Sequence, residues 1–192
     1  MNIIGPEELR RLPFLAGENV DAPDPPFSEE IQRRYANTHI LIFTPRIPWI
    51  TLTGLREKFG TDPVREPCMY NQDWYLKEDF ANTPPDGKWH LLRKEVLEEL
   101  RAKRPEDIES SFTEEIFPSA ISTALTFFAW HALTGEVLWK HDFLWCSDRD
   151  HNGDRIYVGR YEDPTCVNKN GFNVHRHLSL RPAYSAAPEI IS

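Results

Sequence analysis

The chain has 192 residues, of which 40% are hydrophobic and 27% are charged, and its formal net charge at pH 7 is −8. A chain of this length buries enough surface to fold as one domain, so neither a metal ion nor a disulfide is needed to keep it folded. The acidic balance repels phosphate backbones. We therefore expect a protein partner rather than a nucleic acid, and the sequence gives no indication of the oligomeric state.

The three cysteines, Cys68, Cys146 and Cys166, stand far apart. They form no Cys-x-x-Cys pair, so they predict neither a zinc ribbon nor a disulfide scaffold. The first residues lack the apolar run of a signal peptide, and the longest apolar stretch, residues 120–133, is too short and too interrupted to span a bilayer. We therefore expect a cytoplasmic protein without membrane contact.

The N-terminal half is predicted to form short helices joined by proline-rich turns. Proline at the first helical position and two glutamates predict a helix over residues 6–12. Residues 21–26 contain three prolines and predict an extended linker. We therefore expect a single domain over residues 1–192, with residues 1–27 as an extended N-terminal arm in an alternative interpretation. Ser28 predicts the N-cap of a second helix.

Two further predicted elements precede a stretch whose secondary structure the sequence leaves undecided. Residues 39–43, His-Ile-Leu-Ile-Phe, predict a short buried strand. Residues 52–59, followed by a glycine, predict a helix with a glycine stop. Aromatic residues at irregular spacing leave the secondary structure of residues 64–112 undecided. Within this stretch, Trp89 begins a candidate strand and residues 96–102 favour a helix.

The C-terminal half shows one helical pattern followed by alternating patterns. The apolar run over residues 118–133, ended by a glycine, predicts a buried helix. Residues 137–146 alternate with a period of two and predict a strand with one aromatic face, and residues 155–161 and 172–180 predict two more strands. We therefore predict an α+β fold. A small antiparallel sheet in the C-terminal half packs on one buried central helix, and short peripheral helices occupy the N-terminal half.

The acidic loop between the first two of these strands is the strongest local signal. Its oxygen-bearing side chains are Asp148, Asp150, Asn152 and Asp154. The alternate spacing of the first three, followed by a glycine, resembles the first half of an EF-hand calcium loop. The resemblance ends there, because an arginine and a glycine replace the apolar residue and the bidentate glutamate that complete such a loop. The alternative is a plain hairpin turn in which aspartates cap backbone amides.

A pair of histidines, His175 and His177, forms a second candidate site on the last predicted strand. Alternation places both imidazoles on one face of the strand, together with Asn173 and Ser179. Such a pair binds zinc or manganese when a third ligand joins it. The candidates for that third ligand are His141, His151, Asp148 and Cys146. The alternative is that both histidines lie on a solvated sheet face.

These patterns give two functional hypotheses. The first is a non-enzymatic binding or interaction domain whose acidic hairpin holds a divalent cation, calcium, through Asp148, Asp150, Asn152 and Asp154. The second is a metal-dependent hydrolase in which the histidine pair and a hairpin carboxylate hold zinc or manganese and activate a water. The chain has none of the common signatures of nucleotide-binding loops, serine hydrolases or zincins.

Overall fold

The structure is a computed structural model that describes residues 2–161, 170–176 and 179–191. The helices in this part of the chain are α1 (Pro6–Arg10), α2 (Glu29–Tyr35), α3 (Leu52–Phe59), α4 (Asp79–Asn82), α5 (Pro105–Ser111) and α6 (Ala120–Thr134). The strands are β1 (Asn2–Ile4), β2 (His39–Thr44), β3 (Lys88–Arg93), β4 (Glu115–Ile116), β5 (Phe143–Arg149), β6 (Arg155–Tyr161), β7 (Gly171–His175), β8 (Tyr184–Ser185) and β9 (Glu189–Ile190). Helices and strands occur together, so the predicted α+β fold is confirmed.

The first sheet has five strands in the order β1, β2, β3, β9, β4. Its centre is the antiparallel pair of β2 and β3, and β1 joins β2 in parallel. The predicted buried strand is confirmed in β2, where all six residues are buried. One face of β2 packs Ile40 and Ile42 into the main core. The other face places Leu41 in a smaller cluster beneath α2, which explains why this strand is continuously apolar.

The second sheet has four strands in the order β7, β6, β5, β8. Strands β5, β6 and β7 are antiparallel, as predicted for the C-terminal half, and the two-residue β8 joins β5 in parallel. Because successive side chains point to opposite faces, β7 sends Phe172 and Val174 into the main core and leaves Asn173 and His175 on the other face. That other face also carries Phe143 of β5.

The predicted buried central helix is confirmed in α6. Ser119 caps it by accepting a hydrogen bond from the Ser122 amide, and Gly135 ends it in the left-handed conformation, with φ of 76°. The helix contacts β2 of the first sheet and β5 and β6 of the second. Phe128 of α6 is fully buried and stacks on Phe59 of α3, with ring centroids 4.0 Å apart. The helix therefore forms the centre of the core shared by both sheets.

Three predicted elements differ from the structure. The strand expected over residues 137–146 begins only at Phe143, because Trp139 and His141 have φ of 48° and 65°, which no strand accommodates. The helix expected over residues 96–102 is reduced to a 3₁₀ turn at Glu98–Leu100. The predicted strand over residues 172–180 ends at His175, and residues 177 and 178 lie outside the described residues.

Residues 2–27 contribute to the same core. They contain β1, α1 and a 3₁₀ turn at Pro13–Leu15. They also bury several apolar side chains, which are Ile4, Leu9, Leu12, Phe14, Leu15, Val20 and Phe27. Among the described residues, no helix combines the length and the apolar character that a membrane crossing requires.

Candidate functional site

The acidic hairpin connects β5 to β6 and is closed by its own backbone. The Asp150 amide donates to the Asp154 carbonyl, and the Gly153 amide donates to the Asp150 carbonyl, both at 2.9 Å. Gly153 has φ of +87°, a conformation that glycine adopts without a steric penalty. Backbone hydrogen bonds of this kind are those expected when the loop is a plain hairpin turn.

The Asp150 carboxylate is committed to contacts within the protein. Its Oδ1 accepts from the Asn152 and Asp154 amides, both at 2.9 Å. Its Oδ2 accepts from Arg176 Nη1 at 2.8 Å, and the side chain has no exposed surface. Burial raises the pKa of Asp150, but the hydrogen bonds from Arg176 and the two amides outweigh it and hold that pKa below its ordinary value. A cation at this carboxylate would have to displace Arg176.

The other oxygen donors of the loop make different contacts. Asp148 Oδ2 accepts from the amide of Ala120, the first residue of α6, at 2.6 Å. Burial raises the pKa of Asp148, and the Ala120 hydrogen bond opposes only part of this rise. Asn152 is exposed and Asp154 half-buried. No group of three or more His, Cys, Asp or Glu side chains within the described ranges is arranged to hold a metal ion.

The loop is also anchored to the segment that the sequence left undecided. The His151 amide donates to Glu78 Oε2 at 3.0 Å, and His151 Nδ1 lies 2.7 Å from Glu78 Oε1. The Arg176 guanidinium lies over the Trp74 ring at 4.6 Å from its centroid. No sequence motif includes Glu78. Its contacts with the loop are therefore visible only in the folded structure, where residues distant in sequence lie close together.

These contacts predict that Asp150 stabilises the hairpin whether or not calcium is present. We expect Asp150→Asn to lower the free energy of unfolding by about 2 kcal/mol, because it weakens charge-assisted hydrogen bonds at a buried site. Asp154→Asn is the matched control, since the Asp154 side chain forms no hydrogen bond with the described residues. Urea unfolding of both variants in chelator and in calcium measures the effect. A calcium-induced gain in wild-type stability that both variants lose would instead support the cation loop.

Of the histidine pair, His175 lies at the end of β7 and His177 lies outside the described residues. The His175 ring stacks on Tyr157 of β6, with centroids 5.4 Å apart and planes 25° apart. It also meets the Phe143 ring edge-on at 5.5 Å. His175 therefore belongs to an aromatic layer on the second sheet, on the face opposite the main core.

This layer lines an open cavity of about 580 Å³. Its aromatic walls include Tyr70, Phe143, Tyr157 and Tyr184. The Tyr157 hydroxyl donates to the Tyr184 hydroxyl at 3.2 Å, and the two ring centroids lie 4.6 Å apart. The rings meet because β5, β6 and β8 each place an aromatic residue on the same face of the sheet. This volume falls in the range of small-molecule sites.

The polar part of the lining comprises Asn173, His141, His175, Ser179 and Arg181. Asn173 is only 3% exposed, and its Oδ1 has no hydrogen-bond partner within the described structure. Leaving such an acceptor unpaired costs about 1–3 kcal/mol. The described lining contains no aspartate or glutamate, although the chain carries a net charge of −8. The described part of the lining is therefore less acidic than the chain as a whole.

A second cluster of titratable groups, centred on His90 of β3, lines a cavity of about 460 Å³. His90 Nδ1 lies 2.5 Å from Glu189 Oε2, and His90 Nε2 lies 3.1 Å from both Asp86 Oδ1 and Thr44 Oγ1. Burial lowers the pKa of His90, but Asp86 and Glu189 outweigh it and raise that pKa to about 9. At neutral pH both ring nitrogens therefore carry protons, which leaves no lone pair for a general base.

Sequence reasoning placed Asn173, His175 and Ser179 on one strand face, and the first two do share a face of β7. It missed Tyr184 and Arg181, which reach the cavity through β8 and the turn before it. A two-residue parallel strand has no periodic signal, so no pattern in the chain pointed to them. Comparisons of the chain with protein-family models, with curated proteins and with solved structures found no match.

Proposed function

We propose that this protein is a binding domain that holds a small organic molecule with a flat ring in the aromatic cavity of its second sheet. The observation that carries the proposal is the cavity itself, about 580 Å³ in volume. It is lined by tyrosine and phenylalanine rings and by Asn173, whose buried amide oxygen has no hydrogen-bond partner among the described residues. Cavities of this kind, mainly apolar with a few polar groups, are the usual sites of small-molecule binding.

The form of the lining supports a flat ligand. The Tyr184 ring lines the cavity and is held in place by the hydrogen bond from the Tyr157 hydroxyl, so little side-chain entropy is lost when a flat ligand packs against it. Aromatic pairs in offset or edge-on contact gain about 0.5–1.5 kcal/mol beyond the burial of their area.

The two metal hypotheses stay predictions. For calcium, the Asp150 carboxylate already forms an ion pair with Arg176, so the cation would have to compete with that arginine. For zinc or manganese, the ligand set requires His177, which lies outside the described residues. Elemental analysis of gently purified protein, with thermal melts in calcium, zinc, manganese and chelator, tests both of these alongside the cavity.

The binding proposal is tested with flat-ring probes and a matched pair of variants. We expect indole, 2-naphthol or adenosine to bind the wild type in ligand-observed NMR, because their rings fit the aromatic walls. Tyr184→Leu, which removes one wall, should weaken binding at least tenfold. The control is Tyr35→Leu on α2, since Tyr35 contacts His39 in the first sheet and lies outside the cavity lining.

Two results would contradict the proposal. One is that none of the three probes binds at millimolar concentration. The other is that Tyr184→Leu and Tyr35→Leu weaken binding equally, which would place the ligand elsewhere. The melting temperature of each variant establishes that it is folded under the conditions of the binding measurement.

A further inference from the structure

We propose that the ligand of the aromatic cavity is a mononucleotide, with its base against Asn173 and its phosphate at Arg181. This inference rests on the proposed binding function and names the class of molecule bound. Three features of the described lining carry it, namely the unpaired amide oxygen of Asn173, the aromatic rings beside it, and the positive charge at the edge.

The first feature is the hydrogen-bonding edge of Asn173. The Oδ1 of this side chain has no hydrogen-bond partner among the described residues, and the residue is 3% exposed. An asparagine amide offers one acceptor and two donors in a single plane. Its complement is a planar edge with a donor beside an acceptor, which is the edge that nucleobases present and that asparagine pairs with in adenine.

The second feature is the stacking surface beside that amide. Tyr157 pairs with His175 across β6 and β7, and Asn173 lies two residues before His175 on the same face of β7. Because Tyr184 contacts the Tyr157 ring, a base packed against Tyr184 lies in the same cavity as this amide. Base–aromatic stacking contributes about 1–3 kcal/mol per base in other proteins.

The third feature is charge. Arg181 is exposed at the cavity, and its guanidinium forms no hydrogen bond or ion pair with the described residues. A guanidinium binds phosphate through two parallel hydrogen bonds. The described lining contains no carboxylate to repel an anion. The net charge of −8 on the whole chain opposes a long polyanion, so a single nucleotide fits better than a nucleic acid strand.

The test compares ligands that share a flat ring and a phosphate but differ in the base edge. The probes are the four ribonucleoside 5′-monophosphates, the matching nucleosides, and 1-naphthyl phosphate, titrated by calorimetry into the wild-type chain. We expect at least one monophosphate to bind tenfold or more tightly than 1-naphthyl phosphate, because only the base satisfies Asn173. We also expect each phosphate to improve on its nucleoside.

Variants then assign each contribution. Asn173→Leu keeps the branched shape and the number of side-chain heavy atoms but removes the hydrogen-bonding groups. It should remove the preference for a nucleotide over 1-naphthyl phosphate while leaving the latter bound. Arg181→Gln should weaken the monophosphate about tenfold and leave the nucleoside unchanged. Arg34→Gln on α2, an exposed arginine remote from this cavity, is the control.

The outcomes separate this inference from the binding function. If 1-naphthyl phosphate and 2-naphthol bind and no monophosphate exceeds them, the nucleotide assignment is wrong and the aromatic cavity remains a binding site. If no ring compound binds, both proposals fall. Should Asn173→Leu fail to fold, the comparison of ligands on the wild-type chain still decides between these results.

Discussion

Replacing Phe128 with alanine is expected to lower the free energy of unfolding by about 3–5 kcal/mol. Phe128 is fully buried in α6, and its ring stacks on Phe59 at 4.0 Å and meets Phe127 edge-on at 5.2 Å. Alanine leaves a cavity that these rings fill only partly, because α6 is held against both sheets. Urea or guanidinium unfolding, followed by circular dichroism, measures the change.

The matched control is Phe112→Ala. Phe112 is half-buried after the end of α5 and makes one edge-on contact, with Phe117 at 5.1 Å. The lost contacts are fewer and water reaches the site, so we expect a loss of about 1 kcal/mol. Equal losses in the two variants would show that α6 is not the centre of the core.

The second large effect is a dependence of stability on pH that arises from His90. Its pKa in the folded chain is about 9, against 6.5 for an unperturbed histidine. The folded state therefore binds the proton more tightly, so the stabilisation is complete below pH 6.5 and is lost as the pH rises through 9. At about 1.4 kcal/mol per pKa unit, this single group contributes on the order of 3 kcal/mol.

Glu189→Gln tests this origin of the pH dependence. The change removes a buried negative charge next to the His90 proton, so we expect a loss of about 3 kcal/mol at pH 6. The loss should shrink as the pH approaches 10, where His90 of the wild type is neutral. Unfolding measured from pH 6 to pH 10 gives both curves. Glu99→Gln, at an exposed glutamate on the 3₁₀ turn, is the control and should leave the pH profile unchanged.

The elements predicted correctly from the sequence are those whose signals are local. Ser28 and Gly60 mark the beginning of α2 and the end of α3 through capping chemistry, and both do so in the structure. The apolar run that predicts α6 is also a local signal, because it can be recognised without knowing which elements pack against the helix. The strand error before Phe143 has the opposite origin, because Leu138 and Trp139 are consecutive residues that are both buried, which an alternating pattern does not describe.

The cavity was only partly predictable, for a related reason. The period of β7 places Asn173 beside His175, which one strand alone determines. Whether that face is solvated or covered depends on β6, β5 and β8, and β8 is two residues long. The unpaired amide oxygen of Asn173 is likewise a property of the assembled sheet, because none of its described neighbours donates a hydrogen bond to it.

The position of β9 between β3 and β4 affects the order in which the first sheet can form during synthesis. Residues 189 and 190 pair with Leu92 and Leu91 on one side and with Ile116 and Glu115 on the other. As the chain leaves the ribosome, the edge of β3 that pairs with β9 therefore stays unpaired until almost all of the described residues have emerged. An open strand edge is a template for wrong pairing, and late, long-range pairing slows folding. The nascent chain is thus exposed to wrong pairing at this edge until β9 has emerged, and a chaperone that covers the edge would act in that interval.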